Sequence, residues 1–317
     1  MSRLSILIPW CESTAAFEST LVSILANRPD NSEVIVVHRG TYDDPYELRR
    51  EVLFVEHDPD ATVSDLLNRG LDVAGGEVLH VVACGVSVAD GWSDGARERL
   101  SRTTLGSVTP LVVNAARPQR LVNSGVALNG AGVRLAVGQG RACDRPSVSW
   151  GPSRLAGFYR ISAVRDIGGF ADAVGDLWDV DVAASLRDAG YETELALHCR
   201  LAYDPAQLDD AVVDPTEAAT WAERLFWRHA PSLGWGGLLR HGLQVAAGSV
   251  VSLCTGGGVS TLRARLSAAL DRAAYRDHRE QVSLASERCG LDSPPILSIE
   301  QERRRRSGGS MSQRRAA

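Results

Sequence analysis

The sequence predicts an open, doubly wound α/β sheet followed by a helical extension. Short apolar runs alternate with helical patterns as far as residue 83, which is typical of parallel strands joined by helices. The run 33–38 is almost continuously apolar, as expected of a strand covered on both faces. Strand signals end near Asp214, and helical patterns then continue to about residue 288.

The elements of the sheet domain follow in order along the chain. The first strand spans 4–9 and stops at Pro9, and Ser13 or Thr14 is expected to cap the helix after it. Further strands are expected at 33–38, 52–55, 77–83, 105–113, 155–161 and 192–203, with a glycine-rich hairpin or loop over 121–140 and a helix over 176–189. Ligands of such sheets bind at the carboxyl ends of strands, so the loops after Pro9, His38 and Ala83 are the predicted binding region.

The charge composition excludes several functions. All 34 basic residues of the 317 are arginine, so Schiff-base chemistry, a pyridoxal-phosphate lysine and a Walker A lysine are ruled out. The net charge is −5, and the last sixteen residues contribute six Arg against one Glu. The acidic remainder argues against nucleic acid as a partner.

Three segments are predicted. Residues 1–205 form the α/β domain, 206–290 a helical C-terminal extension, and 291–317 a disordered, arginine-rich tail. The six cysteines show no CxxC spacing, so no zinc or redox motif is indicated. Without a signal-peptide pattern, a cytoplasmic location with reduced thiols is expected.

The segment 242–262 is 21 residues long and has no charged residue, so a membrane segment has to be considered. Its glycines and hydroxyl side chains make it too polar for a spanning helix. A peripheral membrane contact through 236–262 is left open, and a helix packed on the domain is the favoured interpretation.

Several short motifs occur in a fixed order. They are the Ile-Pro strand end within 5–12, the strand and turn over 33–43, the helix and turn Asn68-x-Gly70 to Glu77, the Gly-Gly-Phe at 168–170, and Trp178-Asp-Val-Asp181 ahead of Gly190-Tyr191. Together these resemble the family 2 nucleotide-sugar glycosyltransferases, which have the GT-A fold.

The resemblance implies an activity and a set of ligands. Such an enzyme moves a sugar from a nucleotide-sugar donor to a hydroxyl of a glycan, lipid or small-molecule acceptor, with inversion. By the resemblance, Asp179 is the general base, and Pro9, Trp10, Glu12, His38 and Gly85 line the nucleotide-sugar site. Asp181, two residues further on, is expected to be a solvated or capping carboxylate.

The ligand positions depart from the family pattern. The family holds Mg²⁺ or Mn²⁺ through an aspartate after the fourth strand, and Gly85 stands at that place here, with no carboxylate nearby in sequence. No divalent metal is therefore expected to bind there, although the family makes one possible as a cofactor. The Asp58-Pro59-Asp60 stretch is not a metal motif, since Asp60 is expected to cap the next helix. Arginines are then expected to offset the diphosphate charge, with Arg39, Arg154 and Arg160 as the candidates.

Each candidate residue also has an ordinary structural interpretation. Asp179 is either the base or a first-turn carboxylate stabilised by the helix dipole. His38 either hydrogen-bonds a base or phosphate or is a satisfied histidine at a strand end. Trp10 either stacks on a nucleotide base or is a buried aromatic residue at the rim. The alternative function is a catalytically inactive GT-A scaffold that binds a sugar, a nucleotide or a protein.

Overall fold

The computed structural model describes residues 2–40, 42, 44, 47–144, 146–204, 213–254 and 258–289. The strands are β1 (Leu4–Pro9), β2 (Ser32–His38), β3 (Val52–Glu56), β4 (Val78–Val82), β5 (Val86–Ser87), β6 (Leu105–Asn114), β7 (Arg117–Asn123), β8 (Val126–Leu128), β9 (Arg134–Ala136), β10 (Ala156–Arg160) and β11 (Glu192–Tyr203). The helices are α1 (Thr14–Ala26), α2 (Val63–Val73), α3 (Asp94–Arg99), α4 (Ile161–Asp166), α5 (Trp178–Asp188), α6 (Pro215–Cys254), α7 (Gly258–Leu270) and α8 (Arg272–Cys289).

The main sheet has the order β3-β2-β1-β4-β10-β6-β11-β5, and β7 pairs with β6. Strands β3, β2, β1 and β4 are parallel, and β10 runs antiparallel to both β4 and β6. Strands β8 and β9 form a separate antiparallel hairpin within the glycine-rich segment, where a hairpin or loop was expected. The predicted α/β fold class is confirmed, and the carboxyl ends of β1, β2 and β4 meet at one edge of the sheet.

The Asn68 motif joins the second helix to the Gly-Gly-Phe turn. The Asn68 side-chain amide donates to the Phe170 carbonyl and its oxygen accepts from the Phe170 amide, both at 2.8 Å. Gly169 has φ +82°, and a Cβ there would lie 2.5 Å from the Asn68 side-chain oxygen. A Cβ on Gly70 would lie 2.3 Å from Leu7 in β1, so α2 can approach the sheet this closely only with glycine.

One predicted helix cap is wrong. Asp60 does not cap α2, because Thr62 is the cap residue and forms a reciprocal capping box with Asp65. The box satisfies two backbone donors at once, which a lone aspartate two residues earlier cannot do.

The helical extension packs on α4 and α5. Helices α6 and α8 both contact α5, and α8 also contacts α4. Helix α6 is kinked at Gly234, which has φ +65°. The predicted boundary at 205–206 and the predicted disordered tail over 291–317 lie outside the described residues. None of the helices in the described ranges is both long enough and apolar enough to cross a membrane.

Candidate active site

Trp10 and His38, at the ends of β1 and β2, make contacts within the protein. Trp10 is only 7% exposed and packs against Phe17 and Tyr42, with ring centroids 4.9 and 5.5 Å away. His38 Nδ1 accepts a hydrogen bond from the Gly40 amide at 3.1 Å, and burial lowers the pKa of this histidine. Both side chains therefore have the packing of structural residues, and a nucleotide base would have to displace neighbours to reach the indole face.

The other predicted donor residues lie on the same edge. Pro9 is half-buried at the end of β1, and Glu12 is exposed just beyond it. Gly85 is buried with φ +82°, and its amide donates to the Ala16 carbonyl at 3.2 Å. A residue with a side chain is strained at this φ, so the tight turn after β4 favours the glycine that replaces the family aspartate.

Two thiols occupy the space beside this turn. Cys84 donates to the Pro9 carbonyl at 3.5 Å, and Cys11 donates to the Ser13 carbonyl at 3.4 Å. The contact with the Cys11 thiol, together with burial, holds the pKa of Cys84 well above its usual value. Sulfur is a soft ligand and a poor one for the hard ions Mg²⁺ and Mn²⁺, so the pair does not replace the missing carboxylate.

A carboxylate-bearing residue that the sequence analysis missed adjoins Gly85. The Asp204 amide donates to the Gly85 carbonyl at 3.4 Å, because β5 pairs with the end of β11. The contact joins backbone atoms of both residues, so the strand pairing brings an aspartate that is distant in sequence to the turn after β4. Gly85 offers only backbone atoms where the family has its aspartate, and the sulfur atoms beside it are soft ligands, so the residues at this turn do not fit the family metal.

Asp179 begins α5 and is completely buried. Its Oδ1 accepts from Arg134 Nε at 2.9 Å and from its neighbour Val180 N at 2.7 Å. Its Oδ2 accepts from Arg134 Nη2 at 2.6 Å and from Arg154 N at 2.9 Å. Burial disfavours the charged Arg134 guanidinium, but the hydrogen bonds to Asp179 outweigh it and raise the pKa of Arg134. Because a carboxylate offers about four acceptor positions, the present arrangement leaves none for a substrate hydroxyl.

Asp179 is nevertheless linked directly to the sheet edge. The next residue after Arg154 is Leu155, whose carbonyl accepts from the Ala83 amide at 2.9 Å. Two hydrogen bonds therefore connect the predicted base to the turn after β4. The Arg154 side chain is half-exposed and contacts Asp176 at 3.3 Å, whereas Arg160 binds the carbonyls of Leu100, Arg102 and Leu105.

The prediction that Asp181 is solvated is wrong. Asp181 is buried and accepts two hydrogen bonds from Arg228, at 2.7 and 3.0 Å, and one from His229 at 3.0 Å. His229 also contacts Asp188 at 3.2 Å. The error arises because Asp181 faces away from Asp179, as expected, but the side it faces is covered by α6 rather than by water.

Among the described residues, Asp181, His229 and His278 are close enough to hold a metal, with ligand atoms within 4.8 Å of one another. The guanidinium of Arg228 occupies this space, and it also hydrogen-bonds His278 Nδ1 at 2.9 Å. Burial opposes the charge on His229, but its hydrogen bonds to Asp181 and Asp188 raise its pKa to about 9. A protonated imidazole next to a guanidinium does not bind a cation, so the cluster is an ion-pair network.

Comparison with known proteins gives structural matches only. No family model and no curated protein matches the sequence. The structure of GalNAc-T7 with UDP, GalNAc and Mn²⁺ matches with a TM-score of 0.57 and 12% identity, over 74% of this chain and 51% of that one. The chain thus spans about half the length of GalNAc-T7.

Two further matches cover most of both chains. The mannosyltransferase PcManGT from Pyrobaculum calidifontis, solved with GDP-Man and Mn²⁺, has a TM-score of 0.51 and 16% identity, over 92% of this chain and 88% of that one. Residues 1–349 of S. aureus TarS give a TM-score of 0.56 and 12% identity, over 90% and 89%. At these identities the similarity shows the fold: the chain has the GT-A-type α/β fold of glycosyltransferases.

Proposed function

We propose that the chain is an inverting, nucleotide-sugar-dependent glycosyltransferase that works without a metal bound after β4. Asp179 is its general base once Arg134 has moved away. The observation that carries the proposal is the hydrogen-bonded path from Asp179 through Arg154 and Leu155 to Ala83. The path supports the proposal because it links the Asp179 carboxylate, through Arg154 and Leu155, to the turn after β4, where a GT-A fold is expected to bind its donor.

The transfer step follows from these positions. An acceptor hydroxyl attacks the anomeric carbon, and the bond from that carbon to the phosphate oxygen breaks. The electron pair leaves with the nucleoside diphosphate, and the hydroxyl proton moves to an oxygen of Asp179. Because no metal carboxylate is present at Gly85, a guanidinium has to balance the leaving diphosphate. Arg154 is the best placed of the three predicted arginines, since its backbone binds Asp179 and its side chain is half-exposed.

The second candidate function is a non-catalytic GT-A scaffold that binds a sugar, a nucleotide or a protein. The observation that favours it is the complete hydrogen-bonding of Asp179 by Arg134, Arg154 and Val180. A carboxylate whose acceptor positions are all filled takes no proton from a hydroxyl. The two functions therefore differ in whether the Arg134 side chain moves away from Asp179: the transferase requires this movement, and the scaffold does not.

The first test is thermal unfolding with a panel of nucleoside diphosphates, with and without Mn²⁺. We expect one nucleotide to raise the melting temperature equally in both conditions, since a ligand at about 100 times its Kd stabilises the folded state by about 2.7 kcal/mol. Stabilisation that requires Mn²⁺ and is lost in Asp204→Asn would contradict the metal-free mechanism. No stabilisation by any nucleotide would remove the proposed function altogether.

A further inference from the structure

The second half of α6 and helix α7 form a helical hairpin with an exposed apolar face. Of the twelve exposed large apolar side chains among the described residues, seven lie here: Trp235, Leu239, Leu243, Val259, Leu262, Leu266 and Leu270. Trp235 is 89% exposed and Val259 is 76% exposed. The spacing of four residues in α6, and of three or four in α7, places the members from each helix on one side of it.

The other side of the hairpin packs against the first half of α6, and His241 Nδ1 also bonds the Ala131 carbonyl of the domain at 3.1 Å. His241 is buried and stacks on Phe226, with ring centroids 3.6 Å apart. It also hydrogen-bonds Glu223 at 3.1 Å, and Arg265 of α7 donates to the same carboxylate at 3.2 Å. The buried contacts therefore fix which side of the hairpin faces outward.

The charge of the hairpin has the opposite sign to that of the rest of the protein. Residues 231–270 contain Arg240, Arg263 and Arg265 and no aspartate or glutamate, although the whole chain carries a net charge of −5. Glu223 neutralises Arg265, so Arg240 and Arg263 give the hairpin its positive charge. A cationic hairpin with an apolar face on an acidic protein is complementary to an anionic surface with an apolar interior. Such a surface attracts the hairpin and repels the acidic body, so it also sets the orientation.

We propose that this face lies in the interface of a bilayer that contains anionic phospholipids. Trp235, Leu239 and Leu243, together with the apolar side chains of α7, enter the boundary between headgroups and acyl chains. Arg263 pairs with lipid phosphates. The absence of a spanning helix among the described residues agrees with a helix that lies on the membrane rather than crossing it. The proposal does not depend on the proposed transferase activity.

The test is co-sedimentation of the full chain with vesicles of phosphatidylcholine, alone or with about one third phosphatidylglycerol. We expect binding to the anionic vesicles that weakens as salt is raised. The double variant Trp235→Ser, Leu239→Ser should lose at least about tenfold in binding. Val22→Ser is the matched control, since Val22 is 63% exposed on α1, and it should bind as the wild type does.

A second variant and a second measurement complete the test. Arg263→Gln should weaken binding to anionic vesicles at low salt and leave binding to neutral vesicles unchanged. Light scattering without lipid should give a monomer. The proposal is overturned if the wild type does not bind anionic vesicles, or if Val22→Ser weakens binding as much as the double variant does. It is also overturned if the wild type is a dimer that Trp235→Ser, Leu239→Ser converts to a monomer, because a second copy then covers the face.

Discussion

Asp179 and Asp181 lie two residues apart in α5, yet their carboxylates face different parts of the molecule. Asp181 faces the helical extension and binds Arg228 and His229, which are themselves almost inaccessible to solvent. Asp179 faces the β8–β9 hairpin and binds Arg134, whose side chain is 21% exposed. Asp179 also accepts hydrogen bonds from the backbone amides of Arg154 and Val180, which do not depend on the Arg134 side chain.

The network of Asp181, Arg228 and His229, called the joint below, fixes α5 to α6. The contact between Asp179 and Arg134 is one that can open. Removing a partner of Asp181 leaves buried charges unpaired on α5 and α6, and so lowers the free energy of unfolding. Removing Arg134 leaves Asp179 with the amides of Arg154 and Val180 and opens a path to solvent through a two-stranded hairpin. One face of α5 therefore holds the extension, and the other carries the carboxylate that we propose as the general base.

The largest expected effect is on the joint. Asp181→Asn leaves Arg228 without its counter-charge and His229 with Asp188 alone, so the free energy of unfolding should fall by about 3–5 kcal/mol. Urea unfolding measures it, with Asp72→Asn, an exposed aspartate on α2, as the control that should stay within about 0.5 kcal/mol. A loss below about 1 kcal/mol for Asp181→Asn would mean that the network does not hold the extension.

The joint should also give a pH dependence. The folded-state pKa of His229 is about 9, above its ordinary value of 6.5, so its stabilisation is complete below about pH 6.5 and is lost as pH rises through 9. Between pH 7 and 9.5 the wild type should lose about 2 kcal/mol more than His229→Gln. Urea unfolding at the two pH values measures this difference, and equal losses in both proteins would show that His229 is not protonated in the fold.

The smallest stability effect is expected at the other carboxylate. Arg134→Gln should reduce the free energy of unfolding by about 1–2 kcal/mol, because Asp179 keeps its backbone donors and the glutamine can supply one more. Arg228→Gln, the matched change at Asp181, should cost clearly more. If the two substitutions cost the same in urea unfolding, Asp179 is as structural as Asp181, and the comparison fails.

The fold could be predicted because its motifs encode contacts that need particular residue types. Asn68 is recognisable in sequence since its amide joins α2 to the turn at Phe170, and Gly70 since α2 packs directly on Leu7. The alternation of strands and helices predicts the parallel strands β1 to β4, whereas the antiparallel pairing of β10 was not predicted.

The site could be predicted only in part. Asp179 is identified by its place in a motif, but its pairing with Arg134 joins residues 45 positions apart and leaves no local pattern. The burial of Asp181 depends on α6, which follows in sequence and whose docking the aspartate motif does not specify. Asp204 reaches Gly85 only through the pairing of β5 with β11. Contacts between distant elements thus account for what the sequence analysis missed.

The most direct test of the central claim, that Arg134 covers a competent base, is turnover by four proteins. Wild type, Arg134→Gln, Asp179→Asn and the double variant are assayed for nucleoside diphosphate release from a panel of nucleotide sugars with hydroxyl acceptors. We predict that Arg134→Gln turns over faster than the wild type. Asp179→Asn should reduce turnover by about 10²–10⁴-fold in both backgrounds. Folded Arg134→Gln protein that is as slow as Asp179→Asn, or Asp179→Asn protein with unchanged turnover, would contradict the account.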